Sequence, residues 1–123
     1  MRGLIVNENK VKDVRANVRD LEKAVKWYEE VLGYTVAASW PPEQPNYVHF
    51  EHEGGAMFGL MEHENYPSPG RFNFYVDDVD TLWQKFKGKA DIVEELFSTP
   101  YGSRKFTILD IDGNELGFVQ DDL

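Results

Sequence analysis

The chain has 123 residues, no cysteine, a 41% hydrophobic fraction and a formal net charge of −9. That length allows one domain with a real core, and the 14% aromatic content is too high for a disordered chain. The negative charge argues against nucleic-acid phosphates and anionic membrane surfaces as partners, and the missing cysteines exclude a disulfide scaffold, a thiolate zinc site and a cysteine nucleophile.

Near the N-terminus, Leu4-Ile5-Val6 is far shorter than a signal-peptide core, and no apolar run approaches the about 20 residues of a membrane span, so a cytoplasmic location is expected. Val14, Ala16 and Val18 then alternate with Asp13, Arg15 and Asn17, which predicts a half-buried strand. Asp20 follows as a helix cap. Leu21, Ala24, Val25, Tyr28 and Leu32 keep helical spacing up to Gly33, a C-terminal stop. Trp40, ahead of Pro41-Pro42, reads as part of a loop between strands, and Gly54-Gly55 as a turn. Phe58 and Leu60 alternate with Met57, Gly59 and Met61, and Tyr66-Pro67-Ser68-Pro69-Gly70 is a short connector.

The same order then recurs. Phe72, Phe74 and Val76 alternate with Arg71, Asn73 and Tyr75. Asp78 caps a helix striped by Val79, Leu82, Trp83 and Phe86, with Lys85 and Lys87 in its last turn and Gly88 after it. Asp112-Gly113 predicts a hairpin between a strand near 106–109 and one in which Leu116 and Phe118 alternate with Glu115, Gly117 and Val119. Sliding the chain until Val18 falls on Val76 also lays Asp20 on Asp78, Tyr28 on Phe86, Gly55 on Gly113, and Gly59-Leu60 on Gly117-Phe118. The chain is therefore read as α+β, one domain over 1–123 made of two βαβββ modules at about 10–65 and 70–123 that share a core.

Asn17-Val18-Arg19-Asp20-Leu21-Glu22-Lys23-Ala24, Trp27-Tyr28 and Val31-Leu32-Gly33 resemble the vicinal oxygen chelate superfamily of glyoxalases, extradiol dioxygenases and bleomycin-resistance proteins. So do Pro100-Tyr101-Gly102-Ser103-Arg104-Lys105-Phe106 and Asp110-Ile111-Asp112-Gly113-Asn114-Glu115-Leu116-Gly117-Phe118, although the family usually has Pro where Ile111 stands. The resemblance spans Lys12 to Gln120. It implies paired modules with cupped sheets, one helix outside each, and assembly as a dimer. It also implies four metal-ligand positions, which fall here on Asp13, Gly59, Arg71 and Gly117. Glycine has no donor and arginine repels a cation, so no metal or other cofactor is expected.

With the apolar positions facing the helices, Asp13, Arg15, Asn17, Arg71, Asn73 and Tyr75 are expected around one cavity, with Met57, Met61, Glu115 and Val119 at its sides and Gly59 and Gly117 removing bulk. Trp40, Tyr47, His49 and Tyr101 complete the candidate ligand-binding set. Arg15 and Arg71 favour an anionic or carbonyl-rich ligand over a cationic drug, because local charges dominate within a screening length of about 8 Å. The preferred expectation is a metal-free small-molecule binder acting by sequestration, of the bleomycin-resistance-like kind.

Two other readings stand beside it. One is a glyoxalase- or dioxygenase-like enzyme with a relocated metal or a metal-free proton-transfer site, drawing on His49, Glu51, His52, Glu62 and His63. On a strand, however, His49 and His52 point to opposite faces. The other is a subunit whose cavity is closed by an Asp13–Arg71 salt bridge.

Overall fold

The structure is a computed structural model and describes residues 10–121. Leu4-Ile5-Val6 lies outside them. Two four-stranded sheets form, one per module. The first has the order β1 (Asp13–Val18), β4 (Met57–Glu62), β3 (Tyr47–Phe50), β2 (Val36–Trp40), and the second β5 (Arg71–Tyr75), β8 (Glu115–Gln120), β7 (Arg104–Leu109), β6 (Asp91–Ser98). In each sheet the first pair is parallel and the others antiparallel. A parallel pair needs a crossover, which α1 (Leu21–Trp27) and α2 (Val79–Phe86) provide. No helix among the described residues is long and apolar enough to cross a membrane.

Both helices start on the predicted caps. The Asp20 carboxylate accepts the Lys23 N–H at 3.1 Å, and Asp78 accepts the Thr81 N–H at 3.1 Å and its hydroxyl at 2.7 Å. The stripe ending at Leu32 is not one regular helix, because α1 widens into a π-helical turn over Tyr28–Leu32. Gly33 ends it at φ +75°, and the Tyr34 N–H closes on the Tyr28 carbonyl at 3.2 Å.

The helix-side faces of the two sheets meet in one core. Phe58 of β4 packs edge-on against Phe72 and Phe74 of β5 at ring distances of 5.4 and 5.0 Å, and Tyr34 meets Phe74 at 6.2 Å. A buried polar knot reinforces this contact. The Tyr28 hydroxyl donates to Asp110 at 2.7 Å, and the Asn114 side chain donates to both Asp110 and the Asn17 carbonyl at 2.9 Å. Because the sheets join through these faces, their opposite faces look outward on separate sides. That corrects the expectation of one cavity shared within the chain.

Three local expectations also change. Trp40 is not in a loop. It ends β2 in register with Tyr47. His52 lies beyond the end of β3 rather than on it. Val14, expected in the core, is 38% exposed, because β1 is an edge strand that pairs with β4 on one side and with no strand among the described residues on the other.

Candidate functional site

Register places Trp40, Tyr47, His49, Gly59, Met61, Met57, Asp13, Arg15 and Asn17 on one face of the first sheet. The Tyr47 ring lies over Gly59, where an added Cβ would come within 2.8 Å of Tyr47 Cε1 and 2.7 Å of the Val48 carbonyl. The Arg15 guanidinium stacks 4.8 Å above the Tyr47 ring and pairs with Asp13 at 3.6 Å, while the Tyr47 hydroxyl sits 3.3 Å from His49 Nδ1. Desolvation raises the Tyr47 pKa, Asp13 adds to the rise and Arg15 opposes it. Asn17 has a bracing role here, as its carboxamide donates to the Asn65 carbonyl at 3.0 Å.

On the second sheet the equivalent face carries Arg71, Asn73, Tyr75, Glu115, Gly117, Val119, Lys105 and Thr107. Arg71 donates through Nε and Nη2 to one Glu115 oxygen at 3.2 and 2.9 Å, and through Nη1 to Glu94 at 2.8 Å. The hydrogen bond from Arg71 to Glu115 leads the causes that raise the arginine's pKa. The same Glu94 oxygen accepts the Thr107 hydroxyl at 2.7 Å and lies 3.7 Å from Lys105 Nζ. The Thr107 hydrogen bond is the main cause of a lowered Glu94 pKa, with Arg71 and Lys105 adding to it. Two cations thus face two carboxylates. Next to this network is a pocket of about 300 Å³ bounded by Asn73, Tyr75, Tyr101, Ser103, Lys105 and Val119.

Several expectations change on this geometry. No ion pair joins Asp13 to Arg71 among the described residues, since each is taken by partners in its own sheet. Gly59 and Gly117 do not leave open space, for Tyr47 covers the first and the Asn73 carboxamide the second. Arg71 is not a free cation awaiting an anion. Glu94, Thr107 and Lys105 were not among the sequence candidates, although Lys105 occupies the position that the repeat matches to Tyr47.

The four inherited metal positions do not suit a divalent ion. Two are covered glycines, one is a guanidinium already bound by carboxylates, and only Asp13 offers a donor. Among the described residues no three His, Cys, Asp or Glu side chains converge elsewhere. His52 Nδ1 lies 3.4 Å from the Gly54 carbonyl, His63 Nδ1 accepts the Asn65 N–H at 2.9 Å, and Glu62 faces the Leu21 N–H at 3.4 Å. The residues proposed for a relocated metal are therefore dispersed.

Comparison with known proteins fits this architecture. TioX from Micromonospora sp. ML1 superposes with a TM-score of 0.74 at 22% identity, covering 93% of this chain and 100% of that one. TnmS3, an antibiotic binding protein from Streptomyces sp. CB03234, gives 0.76 at 23% identity, covering 93% and 97%. A lactoylglutathione lyase from Agrobacterium tumefaciens gives 0.69 at 23% identity, covering 89% and 92%. At such identities these likenesses establish the fold and no activity. No curated protein matches by sequence. The sequence does match the model of the Glyoxalase/Bleomycin resistance protein/Dioxygenase superfamily over residues 10–118, and the chain belongs to that superfamily.

Proposed function

We propose that the protein is a metal-free small-molecule-binding protein that acts by sequestration, as a cytoplasmic homodimer with no nucleic-acid or membrane partner. The carrying observation is the character of the two outward faces. Their charges are internally balanced, yet they expose aromatic surface, with Trp40 at 64%, Tyr75 at 83% and Tyr101 at 79%. Solvating so much aromatic surface has no structural benefit, and a ligand face accounts for it.

Each face alone is a shallow half-cup. β1 and β5 both end their sheets, and Val14 is left open on β1. A second copy could set its β5 beside β1, turning two half-cups into one enclosed site. Asp13, Arg15, Trp40, Tyr47, His49, Met57 and Gly59 of one protomer would then face Arg71, Asn73, Tyr75, Tyr101, Glu115 and Gly117 of its partner. The fold likeness to an antibiotic binding protein is compatible with this role. The dispersed histidines give no comparable support to an enzyme.

Metal analysis of the purified protein, combined with native mass and a thermal-shift screen of small aromatic compounds, tests the proposal. The expected result is a metal-free dimer whose Tm rises with at least one compound and is indifferent to chelator. A stoichiometric, chelator-sensitive ion would overturn it.

A further inference from the structure

The geometry points to Lys105 as the ligand-anchoring residue of the second half-cup, donating a hydrogen bond to a neutral carbonyl oxygen on a flat aromatic ligand lying against Tyr75 and Tyr101. This rests on the binding function proposed above and specifies its ligand class.

The Lys105 side chain is mostly buried, with 16% relative exposure, so β7 holds its stem in place. Its nearest described partner is Glu94, at 3.7 Å, too far for a hydrogen bond. That Glu94 oxygen already accepts Arg71 at 2.8 Å and Thr107 at 2.7 Å. No fully buried side-chain nitrogen or oxygen among the described residues lacks a hydrogen-bond partner. The Lys105 nitrogen makes none among the described residues, and Lys105 lines the pocket of about 300 Å³. A largely buried lysine lining a pocket beside Tyr75 and Tyr101 offers ammonium donors suited to an acceptor atom.

The surrounding charges select the kind of acceptor. Arg71 and Lys105 are matched by Glu94 and Glu115, and Asp121 borders the same pocket. A carboxylate ligand would approach Glu94 and Asp121 as well as Lys105. A neutral carbonyl gains the ammonium hydrogen bond without that repulsion. Tyr75 and Tyr101 beside Lys105 suit a flat aromatic body, and a bicyclic ring is a minimal probe of it.

The test is a binding titration at pH 7 with 2-acetylnaphthalene, 2-ethylnaphthalene and 2-naphthoate, on the full chain and on Lys105→Met and Lys105→Arg. The acetyl compound is expected to bind about tenfold more tightly than the ethyl compound, the worth of one charge-assisted hydrogen bond. The naphthoate is expected to bind more weakly than the acetyl compound. Lys105→Met is expected to abolish the acetyl preference, read as the ratio of the acetyl to the ethyl affinity, and Lys105→Arg to retain part of it. Equal binding of acetyl and ethyl compounds by the unmodified protein, or an unchanged preference in Lys105→Met, would overturn the anchor alone. The naphthoate binding most tightly would overturn the choice of a neutral acceptor. No binding of any naphthalene would overturn the anchor, and joined to a Tm that rises with no compound of the aromatic screen it would overturn the binding proposal beneath it as well.

Discussion

The Tyr47 ring occupies the place where a side chain would rise from Gly59 of β4, and the Val48 carbonyl borders the same spot. Its counterpart Gly117 is covered by the Asn73 carboxamide, the mobile end of a side chain. The two glycines therefore differ in what they tolerate. Gly59→Ala forces backbone as well as ring to move and is expected to cost about 1–3 kcal/mol, whereas at Gly117→Ala the carboxamide can rotate aside for less than about 1 kcal/mol. Urea unfolding of the two variants measures the contrast.

The second prediction concerns the buried link between modules. Tyr28→Phe removes the hydroxyl that donates to Asp110 at 2.7 Å, but the carboxylate keeps the Asp112 and Asn114 backbone N–H groups at 2.8 and 2.9 Å and the Asn114 side chain at 2.9 Å. The expected loss is about 1.5–3 kcal/mol in denaturant unfolding. Burial, with Asp110 next, raises the Tyr28 pKa above its ordinary 10.0. A raised folded pKa gives stability that is complete below pH 10 and lost as pH climbs toward the folded value, so Tyr28→Phe should also flatten the alkaline limb of Tm against pH.

At the acid end, Glu94 provides the opposite case. Its folded pKa lies below the ordinary 4.5, mainly through the Thr107 hydroxyl and then Arg71 and Lys105. Its contribution is present above pH 4.5 and fades as pH falls through the lowered value. Glu94→Gln is expected to lower Tm at pH 7 and to reduce the acid-side slope. An unchanged slope would show that this cluster contributes nothing to acid stability.

Much of this arrangement was legible in the sequence. The paired caps Asp20 and Asp78, the matched glycines and the alternating strands gave both modules, because each is a local signal with its own spacing. The site was less legible. Asp13 and Arg71 are equivalent positions of the repeat, but equivalence across modules does not make them neighbours in one chain. Glu94 was hidden because β6 shifts register on both sides of it, between Ile92 and Glu94 and again before Phe97, so counting alternate residues does not place it on the cup face. Lys105 does carry a sequence signal, since the repeat lays it on Tyr47. Trp40 differs from its expected place because β2 runs right up to the proline pair, which bounds the strand at Trp40.

Composite cups require that the first half-cup of one copy face the second half-cup of another, and the cysteine-free sequence lets this be measured directly. Asn17→Cys and Tyr75→Cys are made as separate variants, mixed after partial unfolding and refolding, and treated with a flexible bis-maleimide. The account predicts covalent dimers that join one variant to the other, in preference to either variant joined to itself. A protein that stays monomeric by native mass, or a mixture whose cross-links join only like to like, would contradict it.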